Sequence, residues 1–189
     1  MPRPAYPEQR RTEVVEGAFR LLARDGVEGF SMRAVAQEAG CTIGLINHWF
    51  ASKDDVIDAA VAQAIDDALD RSRAALSDST TVEDGLVQFL PLDETRVSEL
   101  RIWLAFWAMS ISRPDLNKRH NARAAELRKL LKKDATSMGL SSDRIASTID
   151  VIMPLLDGIT VNALLDPDYW TPSRQLKALR TTLDALQIQ

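Results

Sequence analysis

Apolar residues in this chain recur every three to four positions, and no β-branched stretch alternates with a period of two. That spacing draws an apolar stripe along a helix and cannot line one face of a strand. The chain is therefore expected to be all-α. The punctuation agrees: only 8 glycines and 8 prolines occur in 189 residues, mostly between the periodic segments. Gly26 and Gly139 stand where helices should stop, Pro91 and Pro167 where they should have ended, and Pro114 and Pro172 in first turns. About nine helices follow. They run from Glu8 to Asp25, Met32 to Ala39, Ile43 to about Phe50, Ser52 to about Leu76, and Val82 to Leu90. The rest run from Glu94 to Ser112, Pro114 to Met138, Asp143 to Leu165, and Thr171 to about Leu186. Ser31, Thr42, Asp93 and either Ser141 or Ser142 are the expected N-caps. Ser52 with Asp55 forms a shortened capping box, and Asp54 and Asp55 suit the helix dipole.

Several function classes drop out early. A chain of this length can bury a core without metal or disulfide staples. Its one cysteine, Cys41, cannot form an internal disulfide, so nothing indicates an oxidising compartment. The longest unbroken apolar run, Ile102 to Met109, is eight residues, against the ~20 of a membrane span. The stretch Met1 to Pro7 leads into charged sequence, so no secretory leader is expected. A soluble, cytoplasmic protein with no membrane partner is the expectation. No His/Cys cluster has metal-ligand spacing, and no phosphate loop or nucleophile elbow occurs. The two histidines are far apart, which leaves a catalytic triad little to build on. No enzyme, metal or cofactor is expected.

The net charge of −4 is unevenly divided. Residues 1–53 hold 7 Lys/Arg and 6 Asp/Glu, and residues 54–189 hold 16 and 21. So mild an N-terminal excess does not by itself indicate nucleic acid. The motif from Ser31 to Lys53 carries more weight. Two short helices flank Gly40-Cys41-Thr42, a short glycine-containing turn of the helix-turn-helix kind. In such units the second helix enters the major groove and its first residues meet base edges. Ile43, Ile46 and Phe50, at i, i+3 and i+7, are expected to pack inward. Gly44, Leu45, Asn47, His48 and Trp49 are left for the outer side. Gly44 permits close approach, Asn47 can pair bidentately with adenine, and Leu45 can touch a thymine methyl. Thr42, Arg33 and Lys53 suit phosphates. An outward tryptophan beside Asn47 and His48 is unusual on a merely solvated face. The bland alternative is an ordinary helix pair in a bundle.

From Arg11 to Ile57 the chain resembles the DNA-binding domain of TetR-type transcriptional regulators. The residues that carry this are Ala18, Gly26, Ser31, Val35-Ala36, Ala39-Gly40-Cys41-Thr42, Gly44, Ile46, Phe50, Ser52-Lys53-Asp54 and Val56-Ile57. Two departures fall on operator contact: Asn47 stands where the family often has tyrosine, and Trp49 where it often has histidine. The ending His48-Trp49-Phe50, with Trp103 to Ala108 and Leu156-Asp157-Gly158-Ile159, is similar to the choline-responsive repressors of betaine synthesis. The resemblance implies a homodimeric, ligand-responsive regulator, in most members a repressor, bound to double-stranded DNA. Its expected domains are a three-helix DNA-binding domain, residues 1–53, and an effector-binding and dimerisation domain, residues 54–189. A transcriptional activator and an all-α ligand-binding protein without DNA binding are the alternatives.

The helix Glu94–Ser112 is apolar on almost every side across Ile102–Ile111, as a buried central helix would be. Trp103, Phe106 and Trp107 there are either core packing or one wall of an apolar effector site. Aromatic clusters also hold quaternary ammonium ions. Met109, Met153, Asp157 and Asn162 could add soft or polar contacts to a small-molecule effector. Pro154 inside its helix should bend it or leave a carbonyl without its bond. Leu155, Ile159 and Asn162 lie along one stripe, and Leu176, Leu179, Leu183 and Leu186 along another. By resemblance these two helices form the four-helix dimer bundle of the family; within a monomer they would only cover the core. A two-fold dimer matches a palindromic operator. The seven Lys/Arg between Lys118 and Lys133 are expected to be a solvated helix face.

Overall fold

The computed structural model describes residues 7–78, 81–137 and 142–188. Among them are nine α-helices and one short 3-10 turn, and no strand. The helices are α1 (Pro7–Asp25), α2 (Met32–Glu38), α3 (Ile43–Trp49), α4 (Lys53–Asp78), α5 (Val82–Leu86), α6 (Glu94–Ser112), α7 (Pro114–Ser137), α8 (Ser142–Leu165) and α9 (Pro172–Ala185). The all-α expectation holds. The segment expected to be helical to Leu90 is α only to Leu86 and tightens into a 3-10 turn at Val87–Phe89, a common way for a helix to end. Met138, Gly139 and Ser141, named above as a helix end and a cap, lie outside the described residues.

Caps set the helix starts. The Ser31 hydroxyl accepts the Ala34 N–H at 3.1 Å, Thr42 that of Leu45 at 3.2 Å, and Ser52 that of Asp55 at 3.2 Å. The Asp93 carboxylate accepts the Arg96 N–H at 2.8 Å. Each satisfies a donor that the helix itself cannot. Gly26 and Gly40 have φ of +66° and +62°, the left-handed turn that closes α1 and α2 at little cost only for glycine.

The chain forms two compact units. One holds the described residues up to Asp67 together with Ser98–Ala108; the other holds Ala68–Val97 and the described residues from Met109 onward. In the first, Val14, Ala18, Leu21, Val35, Ile46, Phe50, Val56 and Val61 are buried. α1 and α2 approach so closely that a Cβ on Gly17 would lie 3.0 Å from that of Ala39. In the second, Leu90, Ile152, Leu156, Ile159, Leu179, Leu183 and Ile188 form one apolar cluster. α6 is not buried all round. Ile102, Phe106 and Ser110 make its buried stripe, while Ile111, in its last turn, is 77% exposed. α8 runs unbroken through Pro154, which faces outward. The segment Arg144–Leu165 is apolar and long enough to cross a bilayer by length and composition alone. The unbroken-run criterion passes over it because Asp150, Pro154 and Asp157 interrupt it. Its apolar side packs on α9 through the cluster just described.

Candidate nucleic-acid interface

The turn between α2 and α3 is built from backbone bonds. The N–H of Gly40 donates to the Gln37 carbonyl at 3.3 Å, and that of Cys41 to Ala36 at 2.9 Å. Thr42 then extends (φ −97°, ψ 153°) and caps α3. Seven residues follow, and at about 100° per residue they divide into two sides. Ile46 is fully buried, with Leu45 and Trp49 half-buried together on one flank of it. Ile43, Gly44, Asn47 and His48 form the outward arc and are all exposed.

This corrects two expectations. Ile43 does not pack inward; it is 39% exposed. The i, i+3, i+7 count joined it to Phe50, but Phe50 is already extended (φ −127°, ψ 119°) and no longer on the helix. Angles counted from Ile46 put Ile43 and Trp49 equally close, about 60° to either side, and the burial of the neighbouring elements leaves Ile43 as the exposed one. Leu45 and Trp49, expected outside, turn partly back toward the core. The His48 and Trp49 rings meet edge to face at 5.4 Å.

The cations around the arc differ in freedom. Arg33, near the start of α2, is exposed. Lys53 is half-buried: its ammonium donates to the Val27 carbonyl at 3.4 Å and lies 5.5 Å from the Phe30 ring centroid. It is thus drawn onto the α1–α2 connection. Arg11, unremarked in the sequence, sets its guanidinium 5.3 Å from the Phe50 centroid and braces the end of α3. Glu38 accepts from Arg20 at 3.1 Å and from Arg24 at 3.2 Å. Those hydrogen bonds, Arg20's first, hold its carboxyl below the usual range. They tie the end of α2 to α1. Cys41 is half-buried and burial pushes its thiol up, away from the reactive thiolate.

The residues named for an effector fall in both units. Trp103 and Trp107 are half-buried and stacked at 5.6 Å and 20° in the first, where Phe106 is fully buried. Met109, Met153, Asp157 and Asn162 belong to the second. Asn162 is exposed, and its amide donates to the Gly158 carbonyl one turn back at 2.7 Å. Asp157 has no hydrogen-bonding or ion-pairing partner among the described residues, and burial pushes its carboxyl up to about 6.

The residues named for a dimer interface lie on α8 and α9. Ile159, Leu179 and Leu183 are buried in the core of their own unit, with Leu155 half-buried beside them. Leu176 is half-buried as well. These residues thus pack within their own unit. The exposed side of α8 is a different stripe: Val151, Pro154, Gly158, Asn162 and Leu165. Around Gly158 it is open, since an added Cβ would meet nothing within 4 Å.

Residues 14–60 match the family of bacterial regulatory proteins called tetR, and residues 80–187 match the C-terminal region of BetI-type transcriptional repressors. The chain is 27% identical over 176 residues to the HTH-type transcriptional regulator PksA of Bacillus subtilis, covering 88% of this chain and 84% of that one. It is 26% identical over 191 residues to the HTH-type transcriptional regulator BetI of Burkholderia mallei, covering 98% and 97%. The structure is similar to that of the multidrug binding protein EbrR complexed with imidazole. The TM-score is 0.70 and the identity 28%, over 100% of this chain and 94% of that one.

Proposed function

The chain belongs to the tetR family of bacterial transcriptional regulators, with the C-terminal region of the BetI-type repressors, and we propose that it is a homodimer that leaves a palindromic operator when a small organic cation binds. The observation that carries the DNA-binding half is the outward arc of α3. A capped helix after a glycine turn presents Gly44, Asn47 and His48 to solvent together. Asn47 reads an adenine edge, His48 offers a second polar contact, and Gly44 lets the backbone come close. Thr42 accepts from Leu45 and still has its own hydroxyl proton for a phosphate oxygen. Arg33 supplies a phosphate contact without breaking any bond described above. Leu45 and Trp49 seat the arc, and Lys53 braces it through Val27.

Residues 1–53 serve as the DNA-binding domain and residues 54–189 as the effector-binding and dimerisation domain, with α4 as the mechanical link. The exposed stripe of α8 is the dimer surface, because a helix this apolar gains by covering it. Effector binding is proposed at Asp157, beside the half-buried Met153 one turn earlier. Even a half-buried carboxylate without a partner is costly, and an organic cation relieves that cost. The imidazole complex of EbrR, a structure 28% identical to this chain, supports a nitrogenous ligand. Release is a population shift: the effector prefers a conformation whose recognition helices are wrongly spaced. A coupling of about 1–3 kcal/mol changes operator affinity roughly 5–150-fold.

Selection of bound duplexes from a random DNA pool at physiological salt tests this. A palindrome with half-sites one helical turn or a multiple apart is the expected product. A folded, dimeric protein that enriches nothing, even after refolding free of ligand, would instead be a ligand-binding protein without DNA recognition.

A further inference from the structure

Among the described residues, five large apolar side chains are exposed: Ile43, Ile111, Val151, Leu165 and Tyr169. Val151 and Leu165 lie on the face assigned above to the partner copy. Tyr169 is covered by the Arg174 guanidinium, 3.8 Å from its ring centroid. A single exposed aliphatic such as Ile111 is ordinary. Ile43 differs in where it stands. It opens the arc proposed to face the duplex, and it is on the same side of α3 as Asn47, one helical turn away. Its neighbours leave it accessible. Gly44 has no side chain, and a Cβ there would meet only the Thr42 hydroxyl, at 3.9 Å.

An aliphatic group in the major groove has one apolar partner on a base edge, the 5-methyl of thymine. We infer that Ile43 selects thymine by packing on that methyl, within two base pairs of the position read by Asn47. The distance follows from helix geometry. Four residues rise about 6 Å, and base pairs are about 3.4 Å apart. A β-branched side chain is already confined to few rotamers in a helix, so little freedom is lost on contact. Leu45, the expected methyl reader, is half-buried on the flank and outside the arc. This inference rests on the DNA-binding reading above and adds a base identity to it.

The test uses the full-length protein and a duplex enriched from the random pool. Each thymine is replaced in turn by deoxyuridine, which keeps the base pair and removes only the methyl. At one thymine per half-site the replacement is expected to weaken binding about fourfold, the worth of one buried methyl. Ile43→Ala should bind the thymine and uracil duplexes equally. Unchanged circular dichroism and unchanged affinity for non-specific DNA establish that the Ile43→Ala protein is folded. The inference is overturned if Ile43→Ala still discriminates, or if no thymine methyl matters. Failure of the pool to enrich any duplex removes the DNA-binding reading itself, which separates the two failures.

Discussion

Asn47, Arg33 and Lys53 are all polar residues of one small unit, yet their surroundings assign them different work. Asn47 leaves the outward arc of α3, where an amide can donate to and accept from one adenine. Asn47→Ala is expected to cost about 1–3 kcal/mol at a single base-pair position and relax preference there. The ratio of Kd between the selected duplex and single-base variants reads this. An equal loss on every sequence would falsify base reading by Asn47. Arg33 is exposed, so Arg33→Ala should weaken all duplexes alike. It should also make the salt slope shallower by about one for each phosphate left without its cation. Lys53→Ala should act differently. It removes a bond to Val27 and the cation beside Phe30, and should lower stability by roughly 1 kcal/mol, seen as a lower urea midpoint. Asp157 is the residue where pH enters. Its folded carboxyl sits at about 6, above the ~3.9 of an unfolded chain. Between those values the native state binds more protons, so stability falls as pH rises through the window. Asp157→Asn should abolish that fall and raise Tm at pH 7 relative to the parent. A cationic effector should bind less tightly below about pH 6, where the carboxylate protonates; titration calorimetry at pH 5 and 7.5 checks this.

At the scale of elements, the starts of α2, α3 and α6 were legible because Ser31, Thr42 and Asp93 are caps by chemistry and need no distant partner. The turn at Gly40 was legible for the same reason. Its φ of +62° suits glycine, and nothing lies within 4 Å of an added Cβ. Gly40→Ala should therefore cost only the backbone strain, about 1 kcal/mol, in a chemical denaturation. A loss several times larger would mean that the turn is packed against something. The side that α3 shows to solvent was less legible. A stripe of apolar residues over one and a half turns allows more than one inward direction, and only burial of Ile46 chose between them. Glu38 shows the same limit. Its pairing with Arg20 and Arg24 links residues 18 and 14 apart in sequence, and no local pattern announces it.

At the scale of the molecule, the assignment of a dimer surface rests on α8. Its inward stripe is already used by its own unit, and its outward stripe carries Val151, Gly158 and Leu165. A glycine inside a helix costs about 1 kcal/mol relative to alanine, and among the described residues nothing lies within 4 Å of a Cβ added at Gly158. Gly158→Leu should leave the helical content intact, since leucine is the better helix former. It should shift the protein toward monomer in sedimentation velocity and weaken operator binding, because one half-site holds one recognition helix. A dimer of unchanged strength would move the interface elsewhere. What the amino-acid order determined by itself was local: the all-α class, the helix ends, the glycine turn and the family they point to. Each rests on propensity, capping or φ, which are settled within a few residues. What the tertiary structure decided was direction. It sent Ile43 outward and Ile159, Leu179 and Leu183 inward, drew Lys53 onto Val27, and left Asp157 half-buried without a partner among the described residues. Those outcomes depend on which helix faces share a core, and the period of a helix says that a face is apolar without saying what will cover it.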